Sequence, residues 1–199
     1  MKERPILFNA DMVRAILDGR KTQTRRVVTA KQMAKAHGLM MEDEAIDWCP
    51  YSRDGCRRLW VRETWRPFFD EGNLWDCIEY RADGAKIKPS GLDEDTGYRF
   101  DEMCEPGDLN PHWRPSIHMP RWASRITLEV VDVRVERVKS IDHDDARKEG
   151  VVLDTVAGGG DDRYPWAFHR LWDSINAKRG RGWDVNPWVW AVTFKQVKP

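Results

Sequence analysis

The sequence has no surplus of charge of either sign. Lys plus Arg number 33 and Asp plus Glu number 33 in 199 residues. A protein that holds long nucleic acid by bulk charge carries a basic excess, so any anion binding here must come from a local cluster. The chain also lacks a CxxC pair. Its four cysteines are Cys49, Cys56, Cys77 and Cys104. Without regular ligand spacing, free thiols are expected rather than a zinc site built with His112 or His118, and no metal or other cofactor is expected. There is no signal-peptide pattern and no apolar run of membrane-spanning length, so a reduced cytoplasm is the expected setting and a membrane is not an expected partner. A Gly-rich phosphate loop, a helical HExxH and a nucleophile elbow are all missing, and so is any internal repeat.

What is present is enough apolar material for a core. The chain is 41% hydrophobic and 33% charged, which suits one globular domain, with or without long insertions. Eleven Trp is a heavy load for this length. Large aromatic faces suit base stacking, and they suit ordinary cores and partner contacts as well.

The most chemically loaded stretch is Gly19-Arg20-Lys21-Thr22-Gln23-Thr24-Arg25-Arg26. It follows a short helical stripe of Met12, Val13, Ile16 and Leu17, capped by Asn9 or Asp11 and stopped by Gly19. Extended from Thr22, alternation sends Thr22, Thr24 and Arg26 to one side and Gln23 and Arg25 to the other. A core takes neither set without partners. One set is therefore expected to face a groove or a ligand, unless the stretch is a turn with solvated cations.

Along the chain, Pro5 to Phe8 reads as the first strand. Residues 29–57 read as an insertion with a polar helix over Lys31 to His37. Arg58 to Trp65 alternates charged and apolar residues as a half-buried strand does, with Leu59 and Val61 on one face. Residues 66–112, rich in Gly, Pro and acids, read as a long loop holding one strand from Cys77 to Arg81. Trp113 to Trp122 reads as extended, pinned by two prolines. Arg125 to Val135 is the clearest strand, and its change of phase at Val130-Val131 predicts a bulge. Ile141 to Gly150 has a good N-cap in Asp142, acids in its first turn and Gly150 as its stop. Phe168, Leu171, Trp172 and Ile175 mark another amphipathic helix, running to about Lys178. Trp188 to Phe194 is the last strand. Five or six strands, two or three helices and no βαβ alternation predict an α+β fold, a small antiparallel or mixed barrel with helices outside.

Four of these motifs occur in an order that resembles the ASCH family. They are the helix with Gly19 to Arg26, the Leu59-Trp60-Val61-Arg62-Glu63 strand, the Asp145-Ala146-Arg147-Lys148-Glu149-Gly150 helix end and the closing strand from Trp188 to Phe194. The resemblance covers most of the chain, with insertions at about 29–57, 66–112 and 151–163. It is strongest to the longer ASCH proteins encoded in phages and prophages. It implies a PUA-like β-barrel formed by a single domain over residues 1–199. It also implies either RNA binding in a cleft or, as in one small bacterial branch, hydrolysis of N4-acetylcytidine. In that branch the proposed catalytic set is a Lys, the Thr three residues on in the G-x-K-x-x-T pattern, and a Glu near the end of the later helix. Carried over, these are Lys21, Thr24 and Glu149. The length, insertions and Trp-rich segments here depart from the small enzymes.

Amide hydrolysis needs a nucleophile, a base to take its proton and donors for the oxyanion. Thr24 fills the first role if Lys21 is neutral, which requires burial or nearby cations such as Arg20, Arg25 and Arg26. Glu149 has three readings: orienting the Lys, protonating the leaving amine, or bonding the base edge. A plain cleft-spanning ion pair is the alternative to all three. Expected substrate-binding residues are Arg20, Arg26, Arg62, Trp65, Ser116, Arg121 and Trp188. A surface ion pair for Arg62 and core or rim packing for Trp65 and Trp188 stay open beside that reading. Two functions follow. One is a metal-independent hydrolase of an N-acylated pyrimidine nucleoside. The other is a non-catalytic module of phage origin that binds single-stranded RNA or a modified nucleotide. The zero net charge favours a small nucleoside or nucleotide ligand.

Overall fold

The computed structural model describes residues 2–29, 32, 49–52, 56–70, 73–88, 112–153 and 163–197. The expected helix over Lys31 to His37, Cys104 and the linker Gly158-Gly159-Gly160 lie outside them. The fold is α+β. Eight strands and three α-helices are described: β1 (Glu3–Leu7), α1 (Ala10–Leu17), β2 (Gln23–Val27), β3 (Arg58–Arg62), β4 (Trp65–Asp70), β5 (Asn73–Tyr80), β6 (Lys86–Ile87), β7 (Thr127–Arg137), α2 (His143–Lys148), α3 (Arg163–Asn176) and β8 (Trp188–Val197). The strands form a five-stranded sheet ordered β1-β3-β7-β8-β2 and a three-stranded sheet ordered β4-β5-β6. Contacts divide the chain into two compact units. One comprises Met1–Arg4, Ala15–Arg58 and Leu128–Gln196, and the other Pro5–Arg14, Leu59–Thr127 and Val197–Pro199.

The first unit holds β2 and β8, antiparallel, with Thr24 opposite Val192 and Arg26 opposite Trp190. Strand β8 has a continuous apolar run, Val189 to Val192, all buried. Helices α2 and α3 enclose a core of Val138, Ile141, Ala146, Phe168, Trp172 and Val189. Of these, Phe168 and Trp172 are the two α3 stripe residues that are fully buried. Each such side chain contributes about 1.5–3 kcal/mol by leaving water. Helix α2 starts where the sequence signals: Asp142 accepts a hydrogen bond from the Asp145 amide at 2.7 Å, satisfying a first-turn donor. Helix α1 is capped in the same way, the Met12 amide donating to Asn9 Oδ1 at 2.9 Å. Its stripe buries Val13 and Ile16 with Ala15, whereas Leu17 is exposed.

The second unit departs most from expectation. The stretch Arg58 to Trp65 is two strands rather than one. The chain breaks at Glu63, which is buried and takes a two-pronged pair from Arg125, Nε to Oε1 and Nη2 to Oε2, both at 2.9 Å. Leu59, Trp60 and Val61 are all buried, so β3 is covered on both faces rather than half-buried. The expected loop from 66 onward is a sheet as far as Ile87. Strands β4 and β5 pair antiparallel with Trp65 opposite Tyr80, and β6 adds to β5. Pro67 and the acids of β5 hid this sheet, because proline and carboxylates are poor strand formers. Its core joins Trp65, Ile78 and Tyr80 to Met119 and Ala123. Met119 comes from the Trp113 to Trp122 stretch, which Ala123 directly follows and which is not uniformly extended. It forms two short 3-10 turns, Ser116–His118 and Arg121–Ala123, each entered from a proline, Pro115 or Pro120. Proline's fixed φ and missing N–H suit the entry to a helical turn.

Candidate functional site

Helix α1 ends sharply. Gly19 adopts φ 71°, and the Arg20 and Lys21 amides both donate to Ala15 O at 2.9 Å. This stop aims Lys21 at the end of α2, where it forms an isolated antiparallel bridge with Glu149. Lys21 Nζ donates to Glu149 Oε2 and to Glu149 O, both at 2.8 Å. The lysine is 1% exposed and the glutamate 4%. An amine and a carboxylate 128 positions apart in the chain are therefore in direct contact and buried. Burial pushes the Lys21 amine below its ordinary value. Glu149 pulls the other way, and the Arg26 and Arg25 guanidinium groups add to the fall.

Gln23 and Arg25 extend this pair into a network. Arg25 Nη1 donates to Glu149 Oε1 at 3.3 Å and to Gln23 Oε1 at 2.7 Å. Its Nε reaches Glu136 Oε1 at 2.9 Å and its Nη2 reaches Asp145 Oδ2 at 2.8 Å. Gln23 Nε2 donates to Asp145 Oδ1 at 3.3 Å and to Thr193 Oγ1 at 3.1 Å. Arg134 Nη2 donates to Asp145 Oδ2, the oxygen that Arg25 also holds. Burial raises the Asp145 carboxyl, but hydrogen bonds from Arg25 and Arg134 outweigh it and bring the group down to about 2. The Arg25 guanidinium lies 5.8 Å from the centre of the Phe168 ring. These charges thus have partners on nearly every side, as buried charges require.

Thr24 is 3% exposed. Alternation turns it away from Gln23 and Arg25, to the face that carries Arg26 and, across the register, Val192 and Trp190. The Trp190 indole Nε1 is buried there with no acceptor among the described residues. Lys21 precedes β2 and feels both Arg25 and Arg26, and its amine lies with Glu149 on the Gln23 and Arg25 side. Arg20 points outward, its Nη2 on Asp18 at 2.8 Å and its Nη1 on Gly150 O at 3.2 Å. Trp188 is half-buried, with the Arg137 guanidinium 4.3 Å from its ring centre.

The remaining expected residues belong to the second unit. Arg62 stacks on Trp60 at 4.6 Å and donates to Ile117 O at 3.2 Å. Trp65 is fully buried, edge-on to Trp122 with ring centres 5.9 Å apart, and works as a core residue of that unit. Ser116 is half-buried in the first 3-10 turn. Arg121 is exposed and donates to Thr127 Oγ1 at 3.3 Å. Of the expected set, then, the structure joins Lys21 directly to Glu149 and places Thr24 beside Arg26. Arg25 was expected as a cation near Lys21 rather than as the centre of a network, and Gln23, Asp145 and Trp190 were not among the expected site residues. The shared parity of Lys21, Gln23 and Arg25 was the available signal for the first two. Among the described residues, no three of His, Cys, Asp and Glu cluster in a way that would hold a metal ion, and no helix is long and apolar enough to cross a membrane. Cys49 and Cys56 are buried free thiols and Cys77 is a partly buried one.

The chain matches no protein-family model, no curated protein and no solved structure.

Proposed function

We propose that the protein is a hydrolase of an N-acylated pyrimidine nucleoside, of the N4-acetylcytidine type, built on a PUA-like barrel of the ASCH kind. The observation that carries this reading is the buried Lys21–Glu149 pair, with an amine held below its ordinary protonation range. A surface lysine is a poor base near neutral pH, and one depressed by burial is a competent one. The proposed reaction needs Thr24 Oγ1, on the other face of β2, brought within reach of Lys21, which then takes its proton as the oxygen attacks the acyl carbon. Arg26 and the Trp190 N–H, both on the Thr24 face, supply donors for the oxyanion. Glu149 accepts that proton from Lys21 through their hydrogen bond and passes it to the departing N4 amine, which leaves Lys21 neutral again. Water then cleaves the acyl-threonine, releasing the carboxylic acid and restoring the hydroxyl. The test is to incubate the purified protein with N4-acetylcytidine and follow cytidine and acetate. Turnover that vanishes in Thr24→Ala and Lys21→Met supports the reading. No turnover by wild type, or equal turnover by Thr24→Ala, refutes it.

A second reading draws on the other unit. Trp113 there lies against two guanidinium groups, Arg66 at 4.6 Å and Arg81 at 5.9 Å. Lys86 sits 3.5 Å from the centre of the Phe68 ring. Cations interleaved with aromatic rings suit single-stranded RNA. Binding of a short single-stranded RNA that weakens with salt and with Trp113→Ala favours this reading. Binding that ignores both removes it.

A further inference from the structure

Beside the Lys21–Glu149 bridge, and outside the buried network, is a cavity of about 480 Å³. Arg20 comes to it from the end of α1, Asp144, Arg147 and Lys148 from α2, and Tyr164 from α3. Three cations face one carboxylate, a local excess of two positive charges in a chain whose total is zero. The ordinary explanation for basic residues at a helix end is that they complement its dipole. That accounts for Arg147 and Lys148, while Arg20, from a different element, pairs with Asp18 at 2.8 Å outside the lining. The two α2 cations are not neutralised in the same way. Lys148 reaches Asp145 Oδ1 at only 3.4 Å, and Asp145 already serves Arg25 and Arg134. Among the described residues Arg147 has no carboxylate within ion-pair distance. Asp144, the one acid in the lining, lies 3.5 Å from His143 Nδ1. The volume is within the range of small-ligand pockets, roughly 300–1,000 Å³, and so is larger than a bare inorganic anion needs.

We propose that this cavity binds a phosphate group carried on a nucleotide. Arg147 and Arg20 act as planar forks to its oxygens and Lys148 as a point charge. The phosphate can come from a mononucleotide or from an RNA backbone. In either case the site holds the ligand's anionic part, separately from the acyl chemistry assigned to Lys21 and Glu149. The proposal does not depend on that chemistry.

Isothermal titration with cytidine, cytidine 5′-monophosphate, inorganic phosphate and a twelve-residue single-stranded RNA tests it, at low and high salt. The variants are Arg147→Glu and Lys148→Glu, both at exposed positions, with thermal melts to verify folding. The expected result is binding of the monophosphate or the RNA, none of cytidine, and at least tenfold weakening in each variant. A monophosphate response marks a free nucleotide as the ligand, and an RNA-only response marks the backbone. If no phosphate-bearing probe binds the folded wild type, or if binding is the same in both variants, the proposal fails. Inactivity towards N4-acetylcytidine has no bearing on this measurement, so failure of the hydrolase reading is seen separately.

Discussion

Gly150 lies so close to Lys21 that a methyl group on its α-carbon would sit 2.7 Å from Lys21 Cβ and 3.0 Å from Ala15 Cβ. Its φ of 76° also excludes ordinary side chains. Backbone and lysine stem thus touch where the carboxylate of Glu149 meets the amine. Gly150→Ala combines left-handed strain with overpacking and should cost about 2–4 kcal/mol in denaturant unfolding. Gly180 has a similar φ of 68° but nothing within 4 Å. Gly180→Ala should therefore cost only the backbone term, about 1 kcal/mol. Equal losses in the two variants would show that close approach to Lys21 is not the reason for the glycine.

The pH dependence of hydrolysis is the next expectation. The proposed reaction requires neutral Lys21, so its rate should rise with pH along a limb below the ordinary lysine value of 10.5. Glu149 holds the ammonium form by charge and by hydrogen bond, opposing the effect of burial. In Glu149→Gln that hold is gone, the lysine loses its proton more easily, and the limb should move to lower pH. The maximal rate should drop by about 10²–10⁴ through loss of the acid. A limb that stays in place while the rate falls would detach Glu149 from Lys21.

The sequence foretells the structure where a local rule decides it. Gly19, Asn9 and Asp142 are punctuation residues whose geometry is set within a few positions, and the structure has each of them in its predicted role. It falls short where distant residues decide. Pro67 looks like a loop residue until Ile78 is laid opposite it. Trp65 looks like a stacking platform until Trp122 and Ile78 close over it. Arg25 looks like one of several solvated arginines. It becomes the centre of the network only when α2 brings Asp145 and Glu149 alongside and β7 brings Glu136. The contact of Lys21 with Glu149 was expected only through the family resemblance, because nothing local to either residue requires it.

In the second unit Arg125 is the equivalent structural anchor. It holds Glu63 with two bonds, pairs with Asp83 at 2.8 Å and lies 4.1 Å from the centre of the Tyr80 ring. Arg125→Met keeps much of the stem packing but leaves the Glu63 carboxylate buried and uncompensated. Loss of one partner of such a pair costs about 3–5 kcal/mol. The double variant Arg125→Met with Glu63→Gln should recover part of that loss, since the orphaned charge is gone. A double variant no more stable than Arg125→Met, measured by urea unfolding, would mean that the loss is packing rather than charge.

Asp145 supplies a pH signature for stability. Its carboxyl is near 2 when folded, against about 3.9 for an unfolded aspartate. A depressed carboxyl stabilises the fold above the unfolded value, and that contribution disappears as pH falls through the folded one. The relevant window is therefore about pH 4 down to about pH 2. Across it the wild type should lose stability steeply, as the anchor of Arg25, Arg134 and Lys148 is protonated. Asp145→Asn cannot titrate and leaves Arg25 with Glu136 and Glu149 as its carboxylate partners among the described residues. It should be less stable at neutral pH and show a shallower decline over the same interval. Urea midpoints at pH 7, 4 and 2.5 for both proteins decide the matter. Parallel curves would place the acid sensitivity elsewhere, and curves converging towards pH 2 would assign it to the Arg25–Asp145–Arg134 cluster.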